Sequence, residues 1–92
     1  MISTFKCSDT ESLFKGQRIA RFVNIQTVAL RKLAMVNRAE KPEDLRIPPN
    51  NRLEQLKGKR KGTWSIRVND QWRVCFRFEG GNVYDVEIVD YH

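Results

Sequence analysis

Thr63-Trp64-Ser65-Ile66-Arg67-Val68-Asn69-Asp70-Gln71-Trp72-Arg73-Val74-Cys75-Phe76-Arg77-Phe78 alternates apolar and polar residues on either side of a turn-forming triplet. Period-two alternation is the signature of half-buried strands. Cross-strand partners share one face of a sheet, so the loop length decides which residues meet. A two-residue turn at Asn69-Asp70 puts Arg73 opposite Ile66 and mixes polar with apolar on both faces. A three-residue loop, Asn69 to Gln71, pairs Val68 with Trp72, Ile66 with Val74 and Trp64 with Phe76. That leaves one clean apolar face, and pattern outweighs the poor turn preference of Gln71.

The same logic extends outward. With Gly80-Gly81-Asn82 as the next loop, Phe78 faces Tyr84, Phe76 faces Val86 and Val74 faces Ile88, while Arg77 meets Asp85 as an opposite-charge pair. Backwards, Leu56 joins the apolar face and Lys57 stands opposite Thr63. Upstream, Phe22, Ile25, Val28, Ala29, Leu33 and Val36 recur at helical spacing, which predicts an amphipathic helix from Phe22 to about Arg38 with Gln26, Arg31, Lys32 and Arg38 on its other face. Ser8-Asp9-Thr10-Glu11 has capping-box spacing and predicts a short helical turn ending at Gly16. Lys41 to Leu45 carries Pro at its first helical position and predicts a second short helix, broken at Pro48-Pro49. Ile2 to Lys6 reads as a short strand. The expected fold is α+β: one compact domain over residues 1–92, a curved, mainly antiparallel sheet packed against N-terminal helices.

Ninety-two residues suit one small core, and 40% hydrophobic residues exclude a disordered chain. No run approaches the ~20 apolar residues of a membrane span, and the first residues lack the pattern of a signal peptide. A cytoplasmic protein without membrane contact is expected. Cys7, Cys75 and His92 are too few for a disulfide framework or structural zinc. Asp85 is matched to Arg77, and Asp90 has the opposite parity to Asp85 and Glu87, which argues against a shared Mg²⁺ site. No cofactor and no metal are expected.

The net charge of +6 points to an acidic partner, most often nucleic acid. The register gathers Lys57, Thr63, Ser65, Arg67 and Arg73 on the polar face, with Tyr91 near Arg73. Arg67 directly opposite Arg73 costs up to about 1 kcal/mol by like-charge repulsion, and an anion between them relieves that cost. Lys59, Arg60 and Lys61, flanked by glycines, add a basic hairpin tip suited to phosphate; no Walker-type spacing accompanies it. Trp64 and Trp72 fall on the apolar face and belong to the core. Cys75 shares the polar face but has no neighbouring His to make it a catalytic thiol.

RNA is cut without metal when its 2′-hydroxyl attacks the adjacent phosphate. That reaction needs a proton acceptor, cations for the charge developing on the phosphoryl oxygens, and a proton donor for the leaving 5′-oxygen. Lys57, Arg67, Arg73 and His92 supply those types, and Tyr91 can stack on a base.

Over its whole length the chain resembles the HigB-type toxins of the RelE/ParE superfamily, the toxin halves of bacterial toxin–antitoxin pairs. The resemblance rests on Lys32-Leu33-Ala34-Met35, on Leu45-Arg46-Ile47-Pro48-Pro49-Asn50-Asn51-Arg52-Leu53, on Leu56-Lys57-Gly58, on Trp64 through Arg73, and on Asp90-Tyr91-His92. It implies a RelE-like fold and a ribosome-dependent mRNA endonuclease that cuts in the decoding site and leaves a cyclic phosphate. It implies a HigA-like helix-turn-helix antitoxin as partner, with operator DNA bound only through the toxin–antitoxin complex. Lys57, Arg73, Asp90, Tyr91 and His92 match the residues credited with activity in that family; Arg67 is added by the register. Glu54 near this site is a departure that repels phosphate. Two other readings are a non-enzymatic gyrase inhibitor of ParE type on the same fold, and a basic RNA- or DNA-binding module without chemistry.

Overall fold

In a computed structural model, which describes residues 1–56 and 62–90, the hairpin forms with the expected register. Strand β2 (Thr63–Arg67) pairs antiparallel with β3 (Trp72–Glu79), placing Trp64 opposite Phe76, Ile66 opposite Val74 and Arg67 opposite Arg73. The three-residue loop closes because the Asn69 side chain stands in for a backbone acceptor. Its Oδ1 takes hydrogen bonds from the amides of Gln71 and Trp72, both at 2.8 Å. Gln71 thus needs no special turn propensity of its own.

The next hairpin differs from expectation. Strand β4 (Asn82–Asp90) returns after a two-residue Gly80-Gly81 turn, both glycines at positive φ, so Phe78 faces Val83 and Arg77 faces Tyr84. Paired positive φ angles suit the right-handed twist of the flanking strands, and glycine adopts them at little steric cost. A β-bulge then sets Asp85 and Val86 against Phe76, with Asp85 at φ 56°, and restores Val74 opposite Ile88 as expected. The bulge lets Val83 and Val86, three residues apart, both be fully buried. A regular strand forbids that.

Strand β1 (Glu54–Gln55) completes an antiparallel sheet of order β1-β2-β3-β4, with Glu54 opposite Ser65 and Gln55 opposite Trp64. Leu56 donates its amide to the Thr63 carbonyl at 2.7 Å, so Leu56 takes the place expected for Lys57. The N-terminal segment runs parallel to β4 through isolated bridges, Ile2 with Val83 and Phe5 with Val86, instead of forming a continuous strand. The bulge between those bridges is the reason: the displaced Asp85 amide donates to Thr4 Oγ1 at 2.8 Å.

Helix α1 (Ser8–Phe14) begins on Cys7 without a side-chain cap, and Glu11 pairs with Lys15 at 3.3 Å instead of closing a capping box. Helix α2 (Gln26–Arg38) starts later than its apolar spacing suggests, after a 3₁₀ turn at Ala20–Phe22. That turn seats Phe22 fully in the core, edge-on to Trp72 with ring centroids 5.5 Å apart. Pro42–Arg46 and Pro49–Asn51 are 3₁₀ turns, and the Ile47–Pro48 peptide between them is cis. Ala29, Leu33 and Val36 of α2 share one buried cluster with Leu13, Ile66, Val74, Phe76 and Ile88. Trp64 and Trp72 pack at its margin, half-buried. The core lies on one face of the sheet, and the polar residues of β2 and β3 line the other.

Candidate active site

Backbone register brings Thr63, Ser65 and Arg67 from β2 and Arg73 and Cys75 from β3 onto the face away from the core. The centre of this face is covered: Ser65 and Cys75 are buried and Arg73 is only 8% exposed. Arg73 lies flat over the sheet and is held from two sides. Its Nε donates to Ser65 Oγ at 2.9 Å, and its Nη2 donates to the Arg52 carbonyl at 2.7 Å and, more weakly, to the Ser65 carbonyl at 3.3 Å. Charge-assisted bonds of this kind hold a guanidinium in one orientation.

Arg67 has a different partner. It leans toward the hairpin loop and pairs with the carboxylate of Asp70, which is fully exposed. The like-charge cost expected of the facing arginines is therefore relieved inside the protein, without an anion. Arg77, further along the same face, is matched by Glu79 and by Asp85 at 3.3 Å, and these carboxylates push its pKa up.

Asp90, at the end of β4, faces Trp72 and so occupies a register position on the core side of the sheet, opposite in parity to Arg73. Its Oδ2 accepts a hydrogen bond from Gln71 Nε2 at 3.1 Å. Register thus brings Arg67 and Arg73 together and does not set Asp90 beside them. Lys57, Lys59, Arg60, Lys61, Tyr91 and His92 lie outside the described residues. Glu54, opposite Ser65, sits at the edge of this face as expected.

Two residues were overlooked by the sequence reading. Lys32, assigned to the solvated side of α2, is 8% exposed, and its Nζ donates to Asn51 Oδ1 at 2.5 Å. Asn51 is fully buried and donates from Nδ2 to the Leu45 carbonyl at 3.1 Å. A signal existed: Lys32 follows Ala29 by three positions and precedes Val36 by four, which puts it on the apolar stripe. Burial lowers the Lys32 pKa, and the nearby charges of Arg31 and Arg67 lower it further. Lys32 therefore lies in a cationic neighbourhood with Arg31 and Arg67.

Among the described residues no three His, Cys, Asp or Glu side chains cluster closely enough to hold a metal ion, and no helix is long and apolar enough to cross a membrane. A cleft of about 240 Å³ between α2 and the 3₁₀ turns, lined by Met35, Arg38, Ala39, Asp44, Leu45 and Ile47, includes neither arginine of the cationic face.

Residues 5–92 match a family described as the RelE-like toxin of type II toxin–antitoxin system HigB. Toxin HigB-1 of Vibrio cholerae serotype O1 is 39% identical over 83 residues, covering 88% of this chain and 87% of that protein. Endoribonuclease HigB of Proteus vulgaris is 46% identical over 41 residues, 45% of each chain. In fold the chain is similar to YafQ from E. coli strain BL21(DE3), with a TM-score of 0.65 at 13% identity, over 98% of this chain and 91% of that one.

Proposed function

Since the chain belongs to the HigB-like family of RelE-like toxins of type II toxin–antitoxin systems, we propose that it is an endoribonuclease that cuts mRNA on the ribosome. The observation that carries this reading is the pair of facing arginines on the sheet face away from the core, one of them locked over the sheet by Ser65 and the Arg52 carbonyl. A relative named as an endoribonuclease supports the choice of substrate.

In this reading the 2′-hydroxyl attacks the adjacent phosphorus as it loses its proton. The bond to the 5′-oxygen breaks, leaving a 2′,3′-cyclic phosphate and a 5′-hydroxyl once that oxygen is protonated. Arg73 and Arg67, with Lys57, stabilise charge on the phosphoryl oxygens. His92, whose residue type titrates near neutrality, takes or gives the proton. Tyr91 stacks on a base, Asp90 steadies the end of β4 through Gln71, and Lys59, Arg60 and Lys61 hold the RNA backbone. So sparse a constellation gains much of its rate from a substrate already positioned by the decoding site. The natural inhibitor is a HigA-like helix-turn-helix antitoxin, operator DNA is reached only through that complex, and the place of action is the cytoplasm.

The decisive experiment maps the ends of a translated mRNA after incubation with the protein, with ribosomes present and absent. Cuts within codons only when the message is being translated support the proposal. Equal cleavage of naked RNA overturns ribosome dependence. Gyrase inhibition with intact mRNA replaces the whole reading with the ParE-like one.

A further inference from the structure

Arg73 is connected to helix α2 by a short chain of polar contacts, buried at the Lys32 and Asn51 end and part-buried at Arg52. Lys32 Nζ donates to Asn51 Oδ1 at 2.5 Å, and Asn51 Nδ2 grips the Leu45 carbonyl at 3.1 Å. The next residue, Arg52, is held in the left-handed region at φ 46° and ψ 57°, and its carbonyl receives Arg73 Nη2 at 2.7 Å. A residue other than glycine keeps that backbone conformation only where its surroundings dictate it, and such strain concentrates at functional sites. Arg52 caps the Pro49–Asn51 turn, its amide donating to the Pro49 carbonyl at 3.0 Å, and the last residue of that turn, Asn51, is fully buried and bonded at both ends of its amide.

The Lys32 contact is an expensive way to hold a loop. Among the described residues its ammonium has no carboxylate partner, and Asn51 is its one hydrogen-bond acceptor. Arg31 and Arg67 repel it. A methionine fills the same space without a buried charge, so packing alone gives no reason for lysine. Lysine does have a use if the position of the Arg52 carbonyl matters, because that oxygen, with Ser65, sets where the Arg73 guanidinium lies.

We propose that Lys32 is a positioning residue for cleavage: by clamping Asn51 it fixes the Arg52 carbonyl and thereby the orientation of Arg73. This rests on the reading of Arg73 as a phosphate-binding group of a nuclease. Lys32 touches no substrate; it acts through Asn51, Arg52 and Arg73 in turn.

The test pairs a spectroscopic signature of Arg73 in the free, full-length protein with kinetics on ribosome-bound mRNA. The ¹⁵N–¹H signal of Arg73 Nε, assigned with Arg73→Lys, reports the Ser65 hydrogen bond through its hydrogen-exchange rate. Lys32→Met should retain a cooperative thermal transition, speed Arg73 Hε exchange about tenfold or more, and lower kcat about tenfold or more with KM within about twofold, as misplacement of a catalytic group does. Lys32→Gln keeps an N–H donor without the charge and should recover most of both losses. Asn51→Ser breaks the link from its other end and should reproduce them, which keeps the test open if Lys32→Met does not fold. Wild-type exchange and kcat in a folded Lys32→Met or Asn51→Ser protein overturn the proposal, as do equal losses in Lys32→Met and Lys32→Gln. If exchange accelerates as expected but the wild-type protein cuts no mRNA, the clamp on Arg73 stands and the nuclease reading fails.

Discussion

Arg67 and Arg73 are directly opposed across β2 and β3, yet their guanidinium groups are held by separate partners, Arg67 by Asp70 and Arg73 by Ser65 and the Arg52 carbonyl. The two contacts differ in kind. Asp70 is a fully exposed counter-ion that an arriving phosphate can replace. Ser65 is a buried acceptor and the Arg52 carbonyl a part-buried one, and both belong to the framework of the site. One arginine is therefore exchangeable and the other fixed.

Arg73→Ala should destabilise the fold by about 1–3 kcal/mol, because it strips donors from buried acceptors. Arg67→Ala should leave the urea midpoint nearly unchanged, since its partner is in solvent. Both should lower cleavage. Repulsion alone predicts that neither substitution weakens the fold, so equal and unchanged midpoints would mean that the buried bonds of Arg73 contribute nothing.

The bulge at Asp85 gives a purely structural prediction. Asp tolerates the left-handed region better than β-branched residues do, so Asp85→Val should cost about 1–2 kcal/mol. Asp85→Gly should fare better on the backbone count despite losing the Arg77 contact. Thermal melts of the two variants decide it, and a valine protein as stable as the glycine one would contradict the strained geometry.

The same bulge shows why part of the fold was legible in the sequence and part was not. Strict alternation around Asn69 to Gln71 left one acceptable register for β2 and β3, and that register is observed. After Gly80, alternation was satisfied equally by a three-residue loop or by a two-residue turn followed by a bulge. The two solutions reconverge at Val74 and Ile88, so the pattern of apolar residues did not separate them. At the site, Arg67 facing Arg73 followed from parity. The bonds that orient Arg73 did not, because one acceptor is a main-chain carbonyl and carries no side-chain signal. Lys32 was misplaced because a lysine is solvated by default, even on an apolar stripe.

Cys7 and Cys75 should differ sharply toward thiol reagents. Burial pushes the Cys7 thiol up, but hydrogen bonds from Thr10 and Asp9 and the charge of Arg21 outweigh it, leaving the pKa below the ordinary value. Cys75 is buried beneath the cationic face. Iodoacetamide near neutral pH should label Cys7 first and reach Cys75 only on unfolding. Arg21→Ala should slow the Cys7 reaction. Preferential labelling of Cys75 in the folded protein would contradict the packing of that face.

Lys32 gives the alkaline limb of stability a definite sign. Its folded pKa is lowered by burial and by Arg31 and Arg67, so between that value and the ordinary 10.5 the unfolded chain binds more protons. Stability from this group therefore rises with pH through that window, as the penalty for a buried charge disappears. Urea titrations at pH 8 and near pH 10.5 should show the wild type gaining on Lys32→Met. A constant difference between the two would mean that the ammonium is as well solvated in the folded protein as in water.

His92→Ala isolates the proton-transfer step. The fully buried part of β4 ends at Ile88, and Asp90 is already exposed, so a change beyond them should leave the melting temperature where it is. General acid–base catalysis contributes roughly 10²–10⁴-fold, and single-turnover cleavage of ribosome-bound mRNA should fall by at least that lower figure. The limb of the pH–rate profile nearest neutrality should vanish with it, because no other side chain in the sequence has an ordinary pKa in that range. A base loses its proton acceptor below that limb and an acid its proton above it, so the side on which the wild-type rate falls assigns the role. A loss smaller than about tenfold, with the limb intact, would move proton transfer away from His92 and leave charge stabilisation by Lys57 and the arginines as the main source of rate.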